Sequence, residues 1–249
     1  MNRQRFPATV PSDSRPKRPT ITRRYEVTWL DRNGDIQVST RLAPATPTFE
    51  EAFSAFARGT LIQTDAGLMA VDDLVPGQMI MTAEGRAERL VWVGSMTIYP
   101  ASAVPELAPT ALTRITGDSF GEGRPMPDLL LGPHARILLR DPRVKSVVEE
   151  AEAAYAPARA FVDGDMVIAV QPAAPMPVYH IMLERQGTIR AAGIEVESYH
   201  PGPSFGELID PQLSGLFLAL FPQVQSFADF GPIANPRITL AEAERILHG

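Results

Sequence analysis

The chain of 249 residues contains no cysteine. This absence excludes disulfide bonds, thiolate metal sites and catalysis by a cysteine nucleophile, and it gives no information about the redox compartment. Histidine is also scarce, and the four histidines, at positions 134, 180, 200 and 248, show no His-x-x-x-His spacing. The sequence therefore predicts no metal site and no cofactor site.

The sequence also lacks a long hydrophobic run and an excess of positive charge. No apolar stretch approaches the roughly 18 residues that a membrane-spanning helix needs. The formal net charge of −6 argues against nucleic acid as a partner. The N-terminus lacks the apolar segment of a secretory signal peptide, so a cytoplasmic location is the default expectation. Hydrophobic residues form 45% of the chain, which is enough for a sizeable core.

Two segments precede the main part of the chain. Residues 1–23 predict a disordered basic tail, because basic residues outnumber acidic ones and four prolines interrupt any helix. Residues 24–48 predict a β-hairpin and a linker, since Asn33 and Gly34 separate two runs of alternating strand residues and both can adopt positive φ. An isolated hairpin is only marginally stable. We therefore expect it to dock on the core of this chain or on a protein partner.

Residues 203–249 predict a helical extension. The apolar run from Leu208 to Phe221 is too short to span a bilayer and predicts a buried helix that ends before Pro222. Thr239 and Glu242 have the spacing of a capping box and predict the start of a final helix. The alternative for the apolar run is an exposed surface that binds a protein partner. That surface would consist of Leu216, Phe217, Leu220 and Phe221.

The most informative part of the chain begins at Ala55. From there to Gly94, short apolar segments alternate with turn residues, a pattern typical of short β-strands. Three separated blocks follow one another. The first contains AFARGT at residues 55–60, DDLVPG at 72–77 and a strand that ends in WVG at 92–94; the second is DLLLGPHARILL at 128–139, and the third extends from 178 to 202.

In this order, the blocks resemble the Hint family, the fold shared by hedgehog autoprocessing domains and inteins, and in particular its bacterial stand-alone members. The resemblance assigns residues 49–202 to a Hint-like domain. It implies a mainly β fold of short twisted strands. The N-terminal β-hairpin and the small helical C-terminal extension would be additions to that fold.

The same resemblance implies a chemistry whose key residues are absent. In active members, an opening cysteine attacks the carbonyl carbon of the residue before it, and a histidine of the second block protonates the leaving nitrogen. Ala55 matches the cysteine position and Ala135 the histidine position, with His134 one residue early. Gln186 stands where a further histidine is usual, and Gly132 where a serine is usual. Departures in three blocks indicate a naturally degenerate site rather than one engineered substitution.

Two hydroxyl groups are candidates to replace the missing thiol. Ser54 precedes Ala55, but an offset of one residue along a strand would turn its side chain to the opposite face. We expect Thr60 to be a strand or backbone-capping residue. The sequence thus predicts an inactive Hint-like scaffold or protein-interaction module, with contacts through the hairpin or the C-terminal extension. The alternative is residual self-cleavage, with Ser54 or Thr60 as nucleophile and His134 as proton donor.

Overall fold

The structure is a computed structural model of the chain and describes residues 21–100 and 111–249. The predicted basic tail therefore lies almost wholly outside the described residues. The strands are β1 (Thr22–Leu30), β2 (Ile36–Pro44), β3 (Phe56–Ala57), β4 (Leu61–Thr64), β5 (Gly67–Ala70), β6 (Met79–Met81), β7 (Ala87–Ile98), β8 (Leu112–Ile115), β9 (Leu129–Leu131), β10 (Arg136–Leu139), β11 (Ala154–Pro157), β12 (Val167–Val170), β13 (Met176–Leu183), β14 (Thr188–Ala191) and β15 (Ile194–Glu197). The helices are α1 (Pro47–Glu50), α2 (Phe205–Leu208), α3 (Pro211–Leu218) and α4 (Leu240–His248).

The strands form one continuous antiparallel path. Its order is β11-β10-β15-β14-β4-β6-β7-β13-β3-β9-β8-β12, with β5 beside β4 and the β1–β2 hairpin beside β7. The long strand β7 pairs with β6, β13 and β1, so it joins the two halves of the sheet to each other and to the hairpin. The expected mainly β fold of short strands is confirmed.

The N-terminal hairpin is part of the sheet rather than a free appendage. Strand β1 begins at Thr22, so Thr22 and Arg23 belong to the hairpin and not to the basic tail. The loop between the strands is closed by the Asp31 carboxylate, which accepts hydrogen bonds from the N–H groups two and four residues later. Gly34 alone has positive φ, +86°, whereas Asn33 does not. The expected pair of positive φ angles is therefore wrong, because the side chain of Asp31 shapes a longer loop.

Two hydrophobic cores share β7. The first lies within the sheet of short strands and includes Ala55 and Ala135. The second lies between the hairpin, β7, β13 and the C-terminal helices, and it centres on the fully buried Trp92. The Trp92 ring lies 5.3 Å from that of Phe53 and 4.8 Å from that of Phe221, measured between centroids. Segments from before and after the main sheet therefore pack against one tryptophan.

The C-terminal extension closes the second core. Helix α3 begins after Asp210, whose carboxylate accepts a hydrogen bond from the N–H of Gln212, and Leu208 lies outside it with 80% of its surface exposed. The alternative of an exposed partner surface is wrong for Phe217, Leu220 and Phe221, because all three are buried against the hairpin and β7.

The final helix begins where the sequence predicted it. Thr239 and Glu242 form the expected capping box at the start of α4. Within residues 21–100 and 111–249, no helix combines the length and apolar character that crossing a membrane requires.

Candidate functional site

Position 55 lies immediately before β3, the first strand after the N-terminal hairpin. A 3-10 turn, Glu51–Phe53, precedes it, and β3 follows it. The Ala55 N–H donates to the Tyr179 carbonyl at 2.9 Å, and the Ala55 carbonyl accepts from the Gly132 N–H at 2.8 Å. The methyl group of Ala55 is fully buried in the first core. Ala55, which the resemblance in sequence places at the nucleophile position, is thus a packing residue with both backbone groups paired.

The carbonyl group before position 55 is tightly enclosed. The Ser54 carbonyl oxygen accepts a hydrogen bond from the N–H of His134 at 3.2 Å. Gly132 approaches the same peptide so closely that a β-carbon on it would overlap the Ser54 carbonyl oxygen and lie 2.6 Å from the carbonyl carbon. A serine, which the resemblance in sequence leads one to expect at position 132, therefore has no room there with this backbone.

Ser54 does not follow the strand geometry that the sequence suggested. Its φ of −133° and ψ of 51° place it after the 3-10 turn and before β3, so the rule of alternating faces does not apply to it. Its Oγ lies 2.8 Å from the Nδ1 atom of His134 and 2.8 Å from the carbonyl oxygen of Glu50. The structure thus brings together two of the three residual candidates.

The hydrogen bonds of Ser54 define the proton positions. A hydroxyl has one hydrogen, and the Glu50 carbonyl can only accept, so Ser54 donates to Glu50. The His134 Nδ1 atom must then carry a proton and donate to Ser54 Oγ. Burial lowers the pKa of His134 despite the nearby carboxylates of Glu51 and Glu50. The His134 nitrogen that faces the hydroxyl thus carries a hydrogen and is not a base.

The other positions identified from the sequence, Thr60, Ala135 and Gln186, form hydrogen bonds or pack in the core. The Thr60 hydroxyl donates to the Ala57 carbonyl at 2.8 Å. Ala135 is buried in the first core. The Gln186 Oε1 atom accepts from the Ala234 N–H at 2.7 Å, and its Nε2 atom donates to the Ser198 carbonyl at 3.3 Å. Gln186 therefore ties the main sheet to the C-terminal extension.

Two further histidines, His180 and His200, are buried. His180 is in β13, next to Tyr179, whose carbonyl accepts from the Ala55 N–H. The Nδ1 atom of His180 accepts from the Ile181 N–H at 3.1 Å, and burial holds the pKa of His180 well below the usual value. His200 has both ring nitrogens engaged, Nδ1 with the Gly202 N–H at 2.9 Å and Nε2 with a carbonyl oxygen at 3.0 Å. The two hydrogen bonds of His200 give its ring a structural role.

Sequence reasoning missed a network of four charged residues behind the site. Arg237 Nε lies 3.0 Å from a Glu197 carboxylate oxygen, and Arg136 lies 2.9 Å from Glu51. Arg136 also approaches Glu197, at 3.8 Å. Burial raises the pKa of Glu197, although Arg237 and Arg136 act in the opposite direction. The network joins the turn before position 55, the main sheet and the C-terminal extension. No local signal marks it, because its members lie far apart in the sequence.

No group of three or more histidine, aspartate and glutamate side chains in the described ranges has an arrangement suited to a metal ion.

The matching family model, described as Hint domain, covers residues 54–203, about three fifths of the chain. The chain belongs to the Hint-domain family. No curated protein matches it.

Solved structures similar to this Hint-domain chain are inteins and an intein-like domain. The MchDnaB-1 intein is 14% identical, with a TM-score of 0.34, over 58% of this chain and 100% of the intein. The bacterial intein-like domain from Clostridium thermocellum is 12% identical, with a TM-score of 0.38, over 59% and 99%. The TvoVMA intein is 9% identical, with a TM-score of 0.39, over 58% and 96%.

Proposed function

We propose that this Hint domain does not cut its own chain and acts as a scaffold that holds the N-terminal hairpin and the C-terminal extension in one folded unit, for contact with a protein partner. The observation that carries the proposal is the fully buried methyl group of Ala55 at the position of the family's nucleophile. A methyl group cannot attack a carbonyl carbon. Its packing in the first core makes it a structural residue.

The surroundings of position 55 support the same conclusion. The amide nitrogen that would leave, that of Ala55, donates to the Tyr179 carbonyl. No acid reaches it at position 135, where the family's histidine is replaced by a buried alanine. The histidine that is present, His134, is bound to Ser54 through Nδ1. Nucleophile and proton donor are both missing from the bond that the family cuts.

The flanking segments support the scaffold function. In a self-cleaving protein, the segment before the cut is separated from the domain. Here that segment pairs with β7 through β1 and buries Tyr25 and Val27 in the second core. Arg237 of the C-terminal extension approaches Glu51, in the turn before position 55, at 3.9 Å. Both flanks are therefore built into the fold.

The contact between Ser54 and His134 favours one alternative, residual self-cleavage one bond earlier. The Ser54 Oγ atom would form an ester with the Phe53 carbonyl carbon, the bond from that carbon to the Ser54 nitrogen would break, and the hydroxyl proton would pass to that nitrogen. Water would then hydrolyse the ester, which regenerates the Ser54 hydroxyl and releases the chain that begins at Ser54. The 2.8 Å distance between Ser54 Oγ and His134 Nδ1 places a histidine beside the attacking hydroxyl. The proton on His134 Nδ1 argues against this reaction, since a general base that takes the hydroxyl proton has to be unprotonated.

Restoring the thiol at position 55 tests whether the proton donor is missing as well as the nucleophile. We expect the Ala55→Cys variant to stay full-length during prolonged incubation with dithiothreitol, because the leaving nitrogen still lacks a proton donor. The chain has no other cysteine, so any thiol-dependent cut comes from the new residue. The measurement is intact mass over several days at pH 7. The matched control is Ala66→Cys, which places a thiol in an exposed turn. Cleavage between Ser54 and position 55 in the Ala55→Cys variant alone would contradict the absence of a proton donor, since it would leave the nucleophile as the single missing part.

A further inference from the structure

The outer strand of the hairpin, β2, has an open edge. Among the described residues, β2 pairs only with β1, so its other edge offers unpaired backbone N–H and C=O groups. Natural sheets usually protect such edges with prolines, lysines or bulges. Strand β2 has no lysine, its one proline, Pro44, is its last residue, and its register with β1 is regular. Arg41 is its one charged residue.

One face of β2 is apolar and open to solvent. Ile36, Val38 and Leu42 expose 49%, 74% and 68% of their surface. They share this face with Thr40, because every second side chain of a strand points the same way. Exposed aliphatic side chains along an open strand edge are typical of a surface that pairs with another strand.

The spacing of these side chains indicates which strand fits. Val38 and Leu42 lie two residues before and two residues after Thr40. If two β2 strands pair antiparallel around a two-fold axis at Thr40, each Val38 faces the partner's Leu42, and Thr40 faces its own copy. The same register places Arg41 opposite Ser39, so no two like charges are directly opposed. The strand is self-complementary from Val38 to Leu42, and at each end Ile36 lies opposite Pro44, which has no N–H to donate.

We propose that β2 binds the β2 strand of a second copy of this chain, which joins the two sheets through an antiparallel pair centred on Thr40. One strand from each copy makes an interface at the small end of specific contacts, below about 1,200 Å² in total. The dimer is therefore weak, and its population rises with protein concentration across the micromolar range. The proposal does not depend on the chemistry at position 55.

Two measurements test the dimer and its register. Light scattering after size exclusion is expected to give a mass approaching twice 27.1 kDa at high concentration, falling to 27.1 kDa on dilution. A Val38→Glu variant is expected to remain monomeric, because each new carboxylate faces Leu42 of the other copy. The double variant with Leu42→Lys is expected to dimerise again through two opposite-charge pairs. A chain that is monomeric at every concentration would overturn the proposal.

Cross-linking tests the register directly, because the chain has no cysteine of its own. A Thr40→Cys variant places two thiols opposite each other, with β-carbons about 5 Å apart. Mild oxidation is expected to convert it to a disulfide dimer at least tenfold faster than the matched control, Asn33→Cys. Residue 33 lies at the exposed hairpin tip, and the two tips point away from each other in the proposed pair. Equal rates for the two variants would overturn the register.

Discussion

Replacing Trp92 with alanine is expected to lower the free energy of unfolding by about 4 kcal/mol. The indole is fully buried and contacts the rings of Phe53, Tyr199 and Phe221. Its N–H donates to the Leu220 carbonyl at 2.9 Å, so truncation also leaves a buried acceptor without its partner. Urea unfolding followed by circular dichroism measures the loss.

The location of the damage is as informative as its size. Trp92 touches the turn before position 55 and the C-terminal extension, so we expect backbone amides of both segments to exchange faster with deuterium in the variant. The matched control is Trp29→Ala, since Trp29 lies opposite Trp92 in the β1–β7 register but is only half-buried. A cost below about 1 kcal/mol for Trp92→Ala, or unchanged exchange in the C-terminal helices, would show that the second core does not join the flanks.

Gly132→Ala is expected to destabilise the protein by about 3 kcal/mol, at the upper end of overpacking effects. The added methyl group would overlap the Ser54 carbonyl oxygen, which is backbone and cannot rotate away. Relief requires β9 and the Ser54 peptide to separate. That movement would break the hydrogen bond from the Gly132 N–H to the Ala55 carbonyl and the one from the His134 N–H to the Ser54 carbonyl. Thermal and urea unfolding measure the effect.

The control for this substitution is Gly215→Ala in helix α3. A β-carbon there meets no atom within 4 Å, and alanine favours helix over glycine, so the variant is expected to be as stable as the natural protein or slightly more stable. If Gly132→Ala proved equally harmless, the close approach at the Ser54 peptide would be wrong. The assignment of position 132 as a place where the family's serine cannot fit would then fail with it.

Local patterns predicted much of this fold. The Hint family follows from the order of three sequence blocks, the hairpin from the Asn33-Gly34 signal, and helix α4 from its capping box. The signals for the hairpin and for α4 each lie within a few residues along the chain, whereas the family signal is the order of three blocks between residues 55 and 202. The prediction for Ser54 was wrong, because a 3-10 turn precedes β3 and removes the strand periodicity on which that prediction relied.

Contacts between distant segments could not be predicted in the same way. The Ser54–His134 contact depends on β9 lying beside β3, and the network of Glu51, Arg136, Glu197 and Arg237 depends on the path of the whole sheet. Helix α3 buries its apolar face only because the hairpin and β7 provide a surface for it. Pairings of this kind are set by topology, and no single stretch of the sequence contains them.

Intact mass of the unaltered protein tests the central claim most directly. The chain is incubated for several days with and without hydroxylamine, which captures esters, beside a Ser54→Ala variant. The account predicts a single species of 27.1 kDa in every sample. Fragments of roughly 6 and 21 kDa, estimated from chain proportion, with the larger one beginning at Ser54 and both absent from Ser54→Ala, would contradict it and establish Ser54 as a working nucleophile.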